Sequence, residues 1–220
     1  MLKSDGTILR YNIVQRIGHW LNALAFVILL LTGLLVFFWP LAPLSGVWSR
    51  SLHRLAAIIL ALGPIFYFLA DRRGFFHLLR VSFTYSRDDI QWFIRAPWYF
   101  FGISKDLPPQ GEVNAGQRVH HALTIIFYIL VGGSGFAMWF GFDHIPSQVF
   151  LGALIVHDIS MAVLTVLMLG HVYFTFVYGA LDGMIKGTIT RLYAQVEHPR
   201  WLQELEEQAA MREHKGQTAS

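Results

Sequence analysis

The run H-D-I-S-M-A-V-L-T-V-L-M-L-G-H, residues 157–171, lies inside a longer apolar stretch from Gly152 to Tyr178. That stretch exceeds the roughly 20 predominantly apolar residues that a helix needs to cross a bilayer. Its two histidines, His157 and His171, are 14 residues apart. At about 100° per residue the separation falls about 40° short of four full turns, so both rings leave the same helix face. At about 1.5 Å rise per residue they stand about 21 Å apart along the axis. One imidazole then lies near each side of the membrane, and both face the same neighbours. Ionisable groups are costly in lipid and mark a function there. Two of them on one face ask for two partners.

The whole chain supports a membrane reading. Of its 220 residues 55% are hydrophobic and 14% charged, against roughly 25% charged in a soluble domain. The excess apolar residues are gathered in long runs, and many of the 7 Trp and 8 Tyr fall near run ends, as an interfacial belt requires. A net charge of +3 and pI near 9.3 do not indicate nucleic acid here, because the basic residues flank the spans and serve topology. There are no cysteines. Disulfides, protein-held iron–sulfur clusters and C-x-x-C-H haem attachment are therefore excluded, and a redox cofactor must be held non-covalently by other ligands.

Taken in order, the chain is expected to be an all-α integral membrane protein with four spans. Residues 1–18 form a polar lead-in, and the first apolar run reads as a retained span, with no A-x-A-like site after it. The spans are placed at about 19–39, 52–70, 119–140 and 149–178, with Pro64 predicted to kink the second. Residues 19–182 make up the transmembrane domain, 71–118 its long loop and 183–220 a polar tail. Within the loop, Phe75–Val81 and Ile90–Phe101 read as short amphipathic helices on the membrane or against a partner. Residues 105–116 read as a turn-rich loop, and Arg200–Glu213 as a charged helix.

Four spans put both termini on one side. Fifteen of the 17 Lys and Arg residues fall on that side, and only Arg50 and Arg54 on the other. Basic residues concentrate in cytoplasmic segments, so both termini are expected to be cytoplasmic. Direction then sets depth. The first span enters from the cytoplasm and the second from outside, which puts His19 at the inner side and His53 at the outer. The fourth span also enters from outside, making His157 outer and His171 inner. The four histidines form two pairs at matching depth, His19 with His171 and His53 with His157.

Two imidazoles from facing helices suit axial ligation of a b-type haem in a four-helix bundle. Two axial histidines leave no open site, so such an iron shuttles electrons. Gly33 is 14 residues after His19, on the same face and at the depth of the outer pair, where a porphyrin edge would press. Gly33, and Gly132, Gly133 and Gly135 on the third span, equally fit ordinary small-residue helix packing. Any single intramembrane histidine could hydrogen-bond across helices. A proton relay would bring buried acids, and only Asp158 is near, about 100° round the helix from His157. Ligands about 21 Å apart cannot make one zinc or copper site. His77, His144, His198 and His214 read as solvated, and His120 and His121 as interfacial. Arg54 suits either a haem propionate or a lipid phosphate.

The chain resembles the cytochrome b gamma subunit of respiratory, membrane-bound formate dehydrogenases over most of its length. The resemblance is carried by R-x-x-H-W at Arg16–Trp20, the His53–Arg54 pair, N-A-G-Q at Asn114–Gln117 and I-x-H at His157. It continues through G-H-x-Y at His171, G-M-I-K-G at 183–187 and H-P-R-W at 198–201. It implies two b haems, with ligands His19, His53, His157 and His171. It also implies a quinone site beside the inner haem that involves Asn114, Gly116 and Gln117. Amide side chains and a glycine N–H can donate to a quinone oxygen, although Asn114 could equally cap the third span. The segment F-I-R-A-P-W-Y-F-F-G at 93–102 is richer in aromatics than the family pattern.

The resulting expectation is an electron-transfer subunit of the bacterial inner membrane with no substrate dehydrogenase site of its own. An iron–sulfur subunit, and behind it a molybdenum or tungsten catalytic subunit, would supply electrons. These would cross from the outer to the inner haem and reduce menaquinone or ubiquinone at the cytoplasmic side. Related cytochrome b anchors serve hydrogenases and other molybdenum or tungsten enzymes. A membrane anchor or transporter without redox cofactors is the competing class.

Overall fold

A computed structural model describes residues 6–104 and 106–218. Lys3 and Lys105, both in the charge count above, lie outside the described residues. The element order is β1 (Thr7–Leu9), α1 (Ile13–Phe37), a 3-10 turn (Trp39–Leu44), α2 (Val47–Ala70), α3 (Arg72–Phe83) and α4 (Arg87–Phe100). Next come α5 (Ala115–Gly141), α6 (Ser147–Val177), α7 (Leu181–Lys186), β2 (Thr188–Thr190), α8 (Arg191–Glu197) and α9 (Pro199–Thr218). Helices α1, α2, α5 and α6 are long and apolar enough to cross a membrane.

Each of these four helices begins before the span expected from hydropathy. α1 starts at Ile13 and α2 at Val47, because Gln15, Arg16, Ser49 and Arg50 continue a helix without being apolar. His19 and His53 are therefore set more than a turn inside their helices, where the backbone is fixed. The chain divides into two compact units. One comprises Ile13–Phe76 and Leu123–Val177; the other comprises Met1–Asn12, His77–Ala122 and Tyr178–Ser220.

In the first unit α1 and α2 pack side by side. A notch at Gly63 receives the Asn22 amide, which a Cβ at that position would overlap. α2 runs unbroken through Pro64. Proline has no N–H to give the carbonyl four residues earlier, which is that of Leu60. The Tyr128 hydroxyl on α5 donates to that carbonyl instead, supplying the hydrogen bond that lipid cannot. Nearer the C-terminal end of α2, Gln15 Nε2 donates to the Tyr67 hydroxyl at 3.1 Å.

The second unit gathers three segments that are distant in sequence. β1 and β2 pair antiparallel, Ile8 opposite Ile189. The all-α expectation misses this ribbon because T-I-L and T-I-T are too short to show alternation. Ile8, Ile189, Ala194, Trp201, Leu202 and Leu205 make its core. Arg10 donates to the Glu112 carbonyl at 2.5 Å and lies over the Trp201 ring, 4.8 Å from its centre. Arg200 pairs with Asp88 at 2.8 Å, and Arg118 binds the Thr84 carbonyl at 2.7 Å and Asp89 at 3.4 Å. α3 and α4 are helices, as expected. Ile90, Phe93, Ile94 and Trp98 recur at helical spacing along α4 and are all exposed.

His198 is not the solvated tail residue that its surroundings suggest. It is 1% exposed, and its Nδ1–H donates to the Gly111 carbonyl at 2.8 Å. His77 is exposed, as expected, and pairs with Glu112 at 2.9 Å. Burial, reinforced by the Arg10 guanidinium, pushes the His198 pKa down to about 4 from 6.5. The unfolded chain takes up this proton near pH 6.5 and the folded chain only near pH 4. Folded stability is thus complete above 6.5 and declines as pH falls toward 4, by on the order of 3 kcal/mol over the full interval. Proteolysis of the tail should accelerate across that window, and His198→Asn should flatten the pH dependence.

Candidate functional site

The four histidines meet in the two expected couples, all within the first unit. The ring centres of His19 and His171 are 6.0 Å apart, and those of His53 and His157 are 6.4 Å apart. A metal–imidazole bond is about 2 Å, and the ring centre lies about 1 Å beyond the nitrogen, so two imidazoles on opposite sides of one iron have centres about 6 Å apart. Both couples already stand at that separation. The same separation lies within the range of tilted ring contacts, about 4.5–7 Å, and the interplanar angles are 55° and 56°. Among the described residues no group of three or more His, Cys, Asp or Glu is arranged to hold a metal ion. Two protein ligands suffice where a porphyrin supplies four equatorial nitrogens.

Hydrogen bonds fix which nitrogen of the second couple faces inward. His157 Nδ1 is 3.0 Å from the Val131 carbonyl oxygen. A carbonyl only accepts, so Nδ1 carries the proton and Nε2 presents its lone pair. His53 Nδ1 is 2.8 Å from Thr32 Oγ1. The Thr32 hydroxyl proton is already given to the Ile28 carbonyl at 2.7 Å, so the oxygen accepts from the ring. Metal-binding histidines are held in this way, with one ring nitrogen donating to an oxygen and the other free for the metal. In the first couple, His19 Nδ1 is buried with no hydrogen-bond partner, and the ring meets Trp20 edge-on at 5.2 Å.

Two of the glycines singled out from sequence line these rings. A Cβ at Gly33 would lie 3.6 Å from His53 Cε1; at Gly135 it would lie 3.1 Å from His157 Cε1 and 3.3 Å from its Nδ1. Gly132 and Gly133 have nothing within 4 Å of such a Cβ. Gly135 thus lets the His157 ring come close to α5 and reach the Val131 carbonyl. Gly135→Val should displace that ring, and the check is selective loss of one pigment in the absorption spectrum with the other retained.

Sequence reasoning passed over Thr32, Val131 and Ser134, whose hydroxyl lies 3.3 Å from His157 Nδ1. One signal was available: Thr32 adjoins Gly33, and Ser134 adjoins Gly133 and Gly135. Asn114, Gly116 and Gln117 lie at the start of α5, in the second unit. Asn114 Oδ1 accepts from the Gln117 N–H at 2.8 Å and Gln117 Oε1 accepts from the Asn114 N–H at 3.1 Å. This reciprocal cap commits both side-chain oxygens to the helix end and leaves each amide NH2 as the group able to donate.

The family model described as prokaryotic cytochrome b561 matches residues 10–187. The chain is 28% identical over 216 residues to the cytochrome b556(Fdn) subunit of the nitrate-inducible formate dehydrogenase of Escherichia coli K12, covering 94% of this chain and 95% of the relative. It is 29% identical over 215 residues to the cytochrome b556(fdo) subunit of formate dehydrogenase from the same organism, covering 93% and 96%. To the cytochrome b556 subunit of Haemophilus influenzae formate dehydrogenase it is 25% identical over 217 residues, covering 92% and 85%.

Proposed function

This chain belongs to the prokaryotic cytochrome b561 family, and from that premise we propose that it is the membrane-anchoring cytochrome b subunit of a respiratory formate dehydrogenase complex. The relatives just described are formate dehydrogenase subunits aligned over nearly the whole chain. Haem b is the cofactor that family membership implies. We assign one haem to His53 and His157 and a second to His19 and His171. When bound, haem b supplies a one-electron Fe(III)/Fe(II) couple, here with no open coordination position. The chain's residues set the rest. The helices fix the ring positions, Thr32 and Val131 hold Nε2 of His53 and His157 inward, and the apolar spans keep the site within lipid.

In this proposal the termini face the cytoplasm, as the distribution of basic residues suggests. The subunit takes electrons from an iron–sulfur partner at the outer side and delivers them to quinone at the cytoplasmic side. Asn114 and Gln117 donate to a quinone oxygen through their amide NH2 groups, assisted by the Gly116 backbone. A molybdenum or tungsten subunit carries out formate oxidation.

The observation that carries the reading is the pair of imidazole couples at 6.0 and 6.4 Å. The test is purification of the complex in mild detergent, subunit identification by mass spectrometry, and anaerobic addition of formate. The expected result is a reduced b-type spectrum that a quinone analogue reoxidises. Reduction by hydrogen and not formate would reassign the partner, and absence of a b-type spectrum would contradict the proposal.

A further inference from the structure

His53 and His19, which stand in different couples, differ in what their Nδ1 atoms meet. On the His53–His157 couple both rings donate, His53 to Thr32 Oγ1 at 2.8 Å and His157 to the Val131 carbonyl at 3.0 Å. His19, in the other couple, has its Nδ1 buried without a partner. We propose that Thr32 is a positioning residue that lowers the reduction potential of the iron held by His53 and His157. This rests on the two-haem assignment above.

A threonine inside an apolar helix commonly bonds the carbonyl one turn back and does nothing further. Thr32 makes that bond, to Ile28 at 2.7 Å with Leu29 at 3.2 Å, and accepts from His53 as well. It is 5% exposed, so no water competes for the ring proton. Donation from Nδ1–H moves electron density into the imidazole and makes Nε2 a more basic ligand. A more basic axial ligand stabilises Fe(III) over Fe(II), which lowers the potential, because outer hydrogen bonding is one of the levers a protein has over haem. A Cβ at Gly33 would meet His53 Cε1 at 3.6 Å, an ordinary contact distance, so Thr32 and not the glycine fixes the ring. His19 contributes no such donation to its own iron.

The test is an equilibrium redox titration of the purified complex followed in the haem absorption bands, on wild type, Thr32→Val and Thr32→Ser, after haem has been counted in each. Valine keeps the shape and removes the hydroxyl oxygen, leaving the Leu29 carbonyl as a second acceptor for the ring; serine keeps the hydroxyl. The expected result is an upward shift of one of two midpoints in Thr32→Val, with both midpoints unchanged in Thr32→Ser. Unchanged or lowered midpoints in Thr32→Val with both haems present would overturn the inference and leave the two-haem assignment intact. So would a shift in Thr32→Ser as large as that in Thr32→Val. If Thr32→Val does not assemble, Thr32→Ala gives the same comparison with less bulk. Loss of one haem in both Val and Ala variants would show a purely structural role and also overturn it. A wild-type protein without two haems would instead overturn the assignment on which the inference rests.

Discussion

Replacing His171 with alanine is expected to halve the haem content of the purified subunit and abolish quinone reduction. His19 and His171 face each other across 6.0 Å, and the His53–His157 couple is a separate site. Removing one ring leaves a single axial ligand at one haem and leaves the other haem untouched. Loss of a mere outer partner of a metal ligand costs roughly 10–100-fold in affinity, and loss of the ligand itself should exceed that. On the proposed electron path the haem at His53 and His157 should still be reduced by formate, while turnover with a quinone analogue falls below about one hundredth of wild type. His144→Ala, at an exposed loop histidine, should change neither pigment nor turnover. Retention of both haems in the His171 variant would remove that residue from the ligand set.

Asn114→Asp is expected to separate the capping role of one side chain from the quinone role proposed for it. The Asn114 side-chain oxygen caps α5 by accepting from the Gln117 N–H at 2.8 Å. Aspartate is as good an N-cap as asparagine, and its charge suits a helix N-terminus. The cap and the thermal stability should therefore survive. The amide NH2 does not survive, and a quinone oxygen would meet a carboxylate in its place. A lost hydrogen bond of this kind costs about 1–3 kcal/mol, or roughly 10–100-fold in rate at about 1.4 kcal/mol per decade. Quinone turnover should fall by that factor, with haem content and melting temperature unchanged. Full turnover in the aspartate variant would restrict Asn114 to capping.

The spans and the imidazole couples were legible because helical geometry turns sequence spacing into direction. Fourteen residues between His157 and His171 put both rings on one face, and chain direction gave each a partner at its own depth. The supports of those rings were not legible in the same way. His157 leans on the Val131 carbonyl, and a backbone acceptor leaves no mark in the residue sequence. Thr32 reads as one more β-branched residue in an apolar run. The helix starts at Ile13 and Val47 precede the apolar runs because helix formation and hydropathy are different properties. The second unit was hardest to foresee, since its contacts join residues far apart. His198 and Gly111 are separated by 87 positions, and no local periodicity in the charged tail announces that contact. The cap formed by Asn114 and Gln117 was foreseeable, since polar residues just before a long helix fit that role.

The central claim is that each imidazole couple holds one haem. Pyridine haemochrome analysis of the purified wild-type subunit, set against quantitative amino-acid analysis, tests it most directly. The account predicts two haem b per chain. A ratio of one, or none, would contradict it.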